Sequence, residues 1–275
     1  VNKMDLVDFS EEKNNDIKSD FEQLMAKRDY KEQSITFIPV SALQGDNVVN
    51  KSKNTPWYNG ETLLEHLEAI DVRDVYNSGS PRFPIQYVVR PKTDEFDDFR
   101  GYAGKVYGGE LSVGDSIVIL PSQTKSKIKE IFFYDEKYET ASRRSSVTIT
   151  LKDDINASRG DMIVKENDLP AIEKEFTATI SWMDSDKLKH GNKYTIQHGV
   201  NKVLAKVDTI HHKIEPDYSG IDTDISELRM NDIASVTFKL NKPIFYDQFK
   251  NHRTNGSFIL IDLHSNNTVG AGFIQ

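Results

Sequence analysis

The chain opens on Val1-Asn2-Lys3-Met4-Asp5, and an Asn-Lys-x-Asp spacing supplies three side chains that suit one purine base. A carboxylate at Asp5 can accept from both N1–H and the exocyclic amine of guanine. Adenine presents no such pair of donors and would leave a buried acceptor unpaired. The Asn2 amide can bridge N7 and a neighbouring loop, while the Lys3 stem covers the base plane and keeps its ammonium in water. Four other Asn-Lys pairs, starting at Asn50, Asn192, Asn201 and Asn241, have no aspartate at the matching position. A second group, Ser41-Ala42-Leu43, follows the apolar run Ile35 to Val40. At the carboxyl edge of a sheet, where open α/β folds bind ligands, its backbone N–H groups can donate to guanine O6. The expected base site is therefore Asn2, Lys3, Asp5, Ser41, Ala42 and Leu43.

The phosphate half of a nucleotide site is not written in these residues. No Gly-x-x-x-x-Gly-Lys-Ser/Thr occurs, the loop that would supply an N–H cradle, a lysine and a magnesium-binding hydroxyl. Asp-x-x-Gly occurs at Asp98 to Gly101 and Asp217 to Gly220, but both follow Asn2 in β-rich sequence and read as turns. No catalytic residue and no metal ligand is expected here, and no GTP hydrolysis by this polypeptide alone. At roughly −0.3 kcal/mol per heavy atom, a guanosine of about 20 such atoms gains ~−6 kcal/mol, a Kd of tens of micromolar at best. Isothermal titration of the 275-residue chain with GTP is expected to show no binding at micromolar levels. A sub-micromolar Kd would overturn this expectation.

The elements that must hold these residues alternate helix and strand up to about Ile70. Ser10 can cap a helix with Glu11 and Glu12 in its first turn and Ile17, Phe21, Leu24 and Met25 as an apolar stripe. Ile35 to Val40 reads as a short buried strand. Thr62 to Ile70 reads as a second helix with Leu63, Leu64, Leu67 and Ile70 inward. This is part of an α/β domain, cut into rather than whole. A polar linker, Asp71 to Ser80, follows.

After the linker the helical period vanishes. Short β-rich runs at Ile85–Val89, Ile117–Leu120, Ile128–Phe133, Val147–Leu151 and Met162–Val164, with Gly or Pro between them, predict a barrel or sandwich. A second set comprises Phe176–Trp182, Tyr194–His198, Val203–Ile210, Ile233–Leu240 and Phe258–Leu263, and the seam falls near Leu169-Pro170-Ala171. The expected fold is mainly β: two consecutive antiparallel β-barrels, 79–170 and 171–275, preceded by a partial α/β GTPase domain, 1–78.

Composition narrows the function classes. The 275 residues contain no cysteine, which excludes disulfides, thiolate metal sites and a cysteine nucleophile and fits a reducing cytoplasm. No apolar run approaches the roughly 20 residues that cross a bilayer, and no signal peptide opens the chain, so neither membrane insertion nor export is expected. A net charge of −8 opposes attraction to a phosphate backbone, so no nucleic-acid partner is expected.

The order of guanine motif, Ser-Ala-Leu loop, helix and two β domains resembles the translational GTPases typified by elongation factor Tu. The segment Pro56-Trp57-Tyr58-Asn59-Gly60-Glu61-Thr62-Leu63-Leu64-Glu65 is similar to the end of their GTPase domain. Longer stretches narrow the likeness. Gln86 to Lys92, Asp98 to Gly104, Ile155 to Asp161, Gly256 to Leu263 and Asn266 to Gly272 look like the GTP-binding large subunit of sulfate adenylyltransferase.

The resemblance implies a GTPase subunit that takes GTP with Mg2+ in the intact protein and pairs with a small adenylating subunit. That partner would join sulfate to the adenylyl group of ATP, giving adenosine 5′-phosphosulfate and pyrophosphate, with GTP hydrolysis helping to drive the step. Asp94 to Asp97, ahead of Asp98, depart from the family pattern by lengthening a barrel loop. The rival reading is an elongation factor-like GTPase that delivers aminoacyl-tRNA; it needs RNA contacts that an acidic chain disfavours.

Four other features read as ordinary surface. Arg159-Gly160-Asp161 is a turn into a strand. His211 and His212 point to opposite faces and cannot share a metal. Asp94, Glu95, Asp97 and Asp98 form a solvated loop, and Arg143 to Ser146 a hairpin tip.

Overall fold

In the computed structural model, which describes residues 1–26, 34–70, 79–91, 99–215 and 220–275, Ser10 Oγ accepts the Lys13 amide at 3.2 Å and starts helix α1, Glu11–Ala26. Thr62 caps the second helix, α2 (Leu63–Ala69), through a reciprocal pair. The Thr62 hydroxyl accepts the Glu65 amide at 3.2 Å, and the Glu65 carboxylate accepts the Thr62 amide at 2.7 Å. Both helices lie in the first of two compact units, Val1–Asp74, and the second unit is Val75–Gln275.

Two expectations for the first unit need correction. Residues 34–40 form no regular strand. Only the end of this segment pairs: the Val1 amino group donates to Ile38 O at 2.8 Å, the Val40 amide to Val1 O at 2.8 Å and the Met4 amide to Val40 O at 3.2 Å, three bonds among the described residues. The apolar stripes are not core either. On α1 only Asn14 is buried, with Ile17 and Phe21 exposed, and on α2 Leu64, Leu67 and Ile70 are all exposed. Among the described residues, Phe21 has one aromatic neighbour, Phe37 at 5.8 Å, and no second layer covers either stripe. The linker expected at Asp71 to Ser80 lies outside the described residues, apart from Gly79 and Ser80.

The second unit is β throughout. Its first sheet uses β1 (Arg82–Val89), β2 (Gly101–Lys105), β4 (Ser116–Leu120), β5 (Thr124–Phe133), β6 (Glu136–Tyr138), β8 (Ser146–Leu151) and β9 (Met162–Lys165). Two short strands, β3 (Leu111–Ser112) and β7 (Thr140–Ala141), pair apart from it. The order β4-β9-β1-β2-β8-β5 closes because β4 also pairs β5, giving a six-stranded barrel filled by Phe83, Ile85, Tyr102, Ile117, Ile128 and Ile149.

The second sheet runs from β10 (Ala171–Trp182) through β12 (Lys193–His198), β13 (Asn201–Ile214), β14 (Ile221–Asp222), β16 (Ile233–Tyr246), β17 (Ser257–Ile261) and β18 (Thr268–Ile274). Strands β11 (Leu188–Lys189) and β15 (Glu227–Leu228) form a separate pair. The ring β12-β17-β18-β10-β16-β13 closes through β12–β13, around Phe176, Trp182, Val207, Phe238, Phe258 and Leu260.

Two strands that hydropathy did not reveal, β2 and β18, are the glycine-rich ones. A Cβ on Gly104 would stand 2.5 Å from Pro84 O, and one on Gly272 would stand 2.2 Å from the buried Phe258 ring, so strands here approach too closely for a side chain. Arg159 to Asp161 form the expected turn, with Gly160 at φ 102°. Arg143 and Arg144 sit in a turn leading to β8. His211 Nε2 meets Thr237 Oγ1 at 2.7 Å. Asp94 to Asp98 and most of Asp217 to Gly220 fall outside the described residues.

The two barrels join through an apolar patch and a buried ion cluster. Val118, Leu120, Met162 and Val164 of the first meet Phe245 and Ile172 of the second. Arg82, only 2% exposed, donates from Nε and Nη2 to both oxygens of Asp247 at 2.9 and 2.8 Å. It also donates to the main-chain oxygen of Asp168 at 2.9 Å. Asn255 donates to Asp247 at 2.7 Å, and His198 Nε2 donates to Asn255 O at 2.8 Å. Burial alone would lower the Arg82 pKa and raise that of Asp247. Their mutual hydrogen bonds prevail, holding the arginine up and the aspartate down.

Burial also pushes the imidazoles of His198 and His252 below their ordinary 6.5. Unfolded, each takes up a proton more readily than it does in the fold. The stability they allow is therefore complete above about pH 6.5 and declines as pH falls towards their native values. The thermal midpoint is expected to drop between pH 7 and pH 5.5, before the carboxylates titrate. A His198→Gln, His252→Gln variant should flatten that interval, and an unchanged slope would contradict this origin.

Candidate functional site

Asp5 belongs to a 3-10 turn, Met4–Val7, that follows Lys3 in a left-handed conformation. Lys3, Asp8 and Phe9 have φ of 65°, 49° and 53°, three non-glycine residues in a region that costs each of them on the order of 1 kcal/mol. Such a backbone persists only when its surroundings fix it. Met4 is buried beneath the loop, and Trp57 Nε1 donates to Phe9 O at 3.0 Å.

The loop at 41–44 is built against it. Ser41, wholly buried, donates from Oγ to Asp5 Oδ1 at 2.7 Å and accepts the Gln44 amide at 3.2 Å. Asn2 Oδ1 accepts the amides of Lys3 at 2.7 Å and Ala42 at 3.1 Å, tying the first loop to the second. Behind Ser41, Asn47 Nδ2 donates to Pro39 O at 2.8 Å and Thr55 Oγ1 at 2.9 Å, while its Oδ1 accepts the Ser52 amide at 2.7 Å. The structure thus brings Asn2, Asp5, Ser41 and Ala42 into one hydrogen-bonded group. The side chains of Lys3 and Leu43 are exposed beside it.

The chemistry on offer is that of a braced acceptor. Among the described residues no hydrogen bond reaches Asp5 Oδ2, and Oδ1 keeps a second lone pair after accepting from Ser41. Both oxygens can therefore take donors from a flat ligand. The framework of Asn47 and Thr55 escaped sequence reasoning; the signal was the turn-forming run Gly45-Asp46-Asn47, in which Asn47 adopts a φ of 54°. The Arg82–Asp247 pair also went unread, since 165 residues separate its members. Among the described residues no helix is long and apolar enough to cross a membrane.

Residues 175–275 match the family model described as GTP-eEF1A C-terminal domain-like. Over 276 residues the chain is 42% identical to sulfate adenylyltransferase subunit 1 of Colwellia psychrerythraea, covering 100% of this chain and 58% of that protein. It is 40% identical over 274 residues to the protein of the same name from Bacteroides fragilis, covering 56% of it. It is 38% identical over 275 residues to the bifunctional enzyme CysN/CysC of Mycobacterium tuberculosis, covering 44% of it. The chain thus spans a little over half the length of the relatives named subunit 1.

Among solved structures it resembles sup35 complexed with GMPPNP, with a TM-score of 0.64 at 18% identity over 100% of this chain and 67% of that one. The GTP-bound Ski7 GTPase-like domain of S. cerevisiae gives 0.55 at 16% identity, over 100% and 63%. At that identity the likeness is one of fold. With relatives near 40% identity along all of its residues, the chain is a homologue of the proteins named sulfate adenylyltransferase subunit 1.

Proposed function

We propose that the protein carrying these residues is the GTP-binding subunit of a sulfate adenylyltransferase. In this reading residues 1–78 are the base-recognising part of the GTPase domain, followed by barrels at 79–170 and 171–275. Asp5 accepts N1–H and the exocyclic amine of guanine, Ser41 Oγ holds the carboxylate in the base plane, and the Leu43 amide is the donor left for O6. The observation that carries the reading is the Ser41–Asp5 hydrogen bond between two motifs 36 residues apart.

The residues present fit the base of GTP, an acceptor pair beside the Leu43 amide, which has no partner among the described residues, and do not extend to its phosphates or Mg2+. Bound GTP would supply the free energy of its own hydrolysis. Adenylyl transfer to sulfate belongs to a smaller partner subunit, which the relatives' name, subunit 1, supports. Neither nucleic acid nor membrane enters this reading, and the cysteine-free sequence suits the cytoplasm.

The test is sulfate-dependent pyrophosphate release by the full-length subunit assembled with its adenylating partner, measured with and without GTP. Faster or more complete release with GTP is expected. Indifference to GTP would remove the functional reading and leave the fold intact.

A further inference from the structure

Three lysines stand abreast on the outer face of the second barrel. Lys193 of β12 is directly opposite Lys206 of β13, which is directly opposite Lys239 of β16. Lys239 is neutralised by Asp208 at 2.9 Å and Glu175 at 3.7 Å. Lys193 and Lys206 have no ion pair or side-chain hydrogen bond among the described residues, nor has exposed Lys202, which faces Gln197. Like charges directly opposite destabilise a sheet.

The usual reason for a strand lysine, protection of an open edge, does not hold here. β12 lies between β13 and β17, and β13 lies between β12 and β16. Beside these lysines runs an outward apolar strip. Leu204, 39% exposed, is opposite Thr195, and Ile261 and Ile259 follow across β12 on β17. The chain as a whole carries a charge of −8, so an unneutralised basic patch is a local excess of the minority sign.

We propose that this outer face of β17, β12 and β13 docks an acidic, apolar-centred face of the second subunit, with Lys193, Lys202 and Lys206 around Leu204 and Ile259. A protein partner fits better than nucleic acid. The strip of Leu204, Ile259 and Ile261 is aliphatic, and the exposed ring on the next strand, Phe273, is already packed on Phe249 at 4.4 Å. The partner's identity rests on the functional reading above; the surface rests on register and charge.

The experiment measures association of the full-length subunit with its adenylating partner by titration calorimetry at two salt concentrations, alongside thermal melts. Lys193→Glu places opposite charges in register with Lys206, so that variant should melt no lower than the parent. It should nevertheless bind the partner more weakly. Lys193→Glu with Lys206→Glu should weaken binding about tenfold or more and flatten its salt dependence. Lys127→Glu, an exposed lysine of the first barrel, should change neither.

If the parent binds its partner and the double variant binds as tightly, the surface is refuted and the functional reading stands. If the parent itself does not bind, both fall. RNA retained by the parent and lost by the variants, with partner affinity unchanged, would also overturn the proposal.

Discussion

Replacing Arg82 by Met is expected to destabilise the barrel unit by about 3–5 kcal/mol, the cost of leaving a buried partner charge uncompensated. For a unit of this size that corresponds to a fall in melting temperature on the order of 10 °C. Arg82 is almost fully enclosed, and its fork holds both oxygens of Asp247 while a third contact reaches Asp168 O. Removing it strands the Asp247 carboxylate, left with Asn255 as its remaining neutral donor. Arg82→Lys should be nearly as costly, because an ammonium cannot reproduce the bidentate fork. Arg82→Met with Asp247→Leu should recover most of the loss, since an apolar pair strands no charge. A melt of Arg82→Met within about 1 kcal/mol of the parent, the worth of an exposed pair, would contradict the cluster's role.

If Asp5 reads the base as proposed, changing it is expected to alter what the site accepts rather than how the fold stands. Asp5→Ala removes an ionised acceptor for two guanine donors, each worth roughly 1.5–3 kcal/mol, so GTP affinity of the full-length subunit should fall by about 10²-fold or more. Asp5→Asn turns an amide donor toward the exocyclic amine of guanine, which repels it. Xanthine carries an oxygen at that position, so this variant should prefer XTP to GTP. Ser41→Ala removes the brace and leaves the acceptor, with an expected loss of about tenfold. Asp5 is only half buried on a surface loop, so both Asp5 variants should melt close to the parent. Equal losses for Ser41→Ala and Asp5→Ala would show that the contact serves the loop and not the base.

Most of the β architecture was legible because alternation of buried and exposed residues is a local property. Ile128 to Phe133 and Tyr194 to His198 fall within observed strands. Strands β2 and β18 were hidden because Gly101, Gly104, Gly270 and Gly272 carry no hydropathy signal; their reason for being there is close packing against neighbours distant in sequence. In the first unit, periodicity predicted an apolar stripe at Ile17 and Phe21 and wrongly turned Leu64 and Leu67 inward, since hydropathy does not say what covers a residue. The pairing of Asp5 with Ser41 was open to inference because each motif is short and the second follows an apolar run. The Arg82 cluster was not, for its partners Asp168 and Asp247 lie in irregular segments with no spacing that marks them.

Sulfate-dependent pyrophosphate release by the assembled enzyme, followed with GTP, XTP and neither, measures the central claim most directly. The parent is predicted to respond to GTP and not to XTP, and the Asp5→Asn variant to XTP and not to GTP. A parent that responds equally to both nucleotides, or an Asp5→Asn variant that keeps the parent's preference, would show that Asp5 does not read the base.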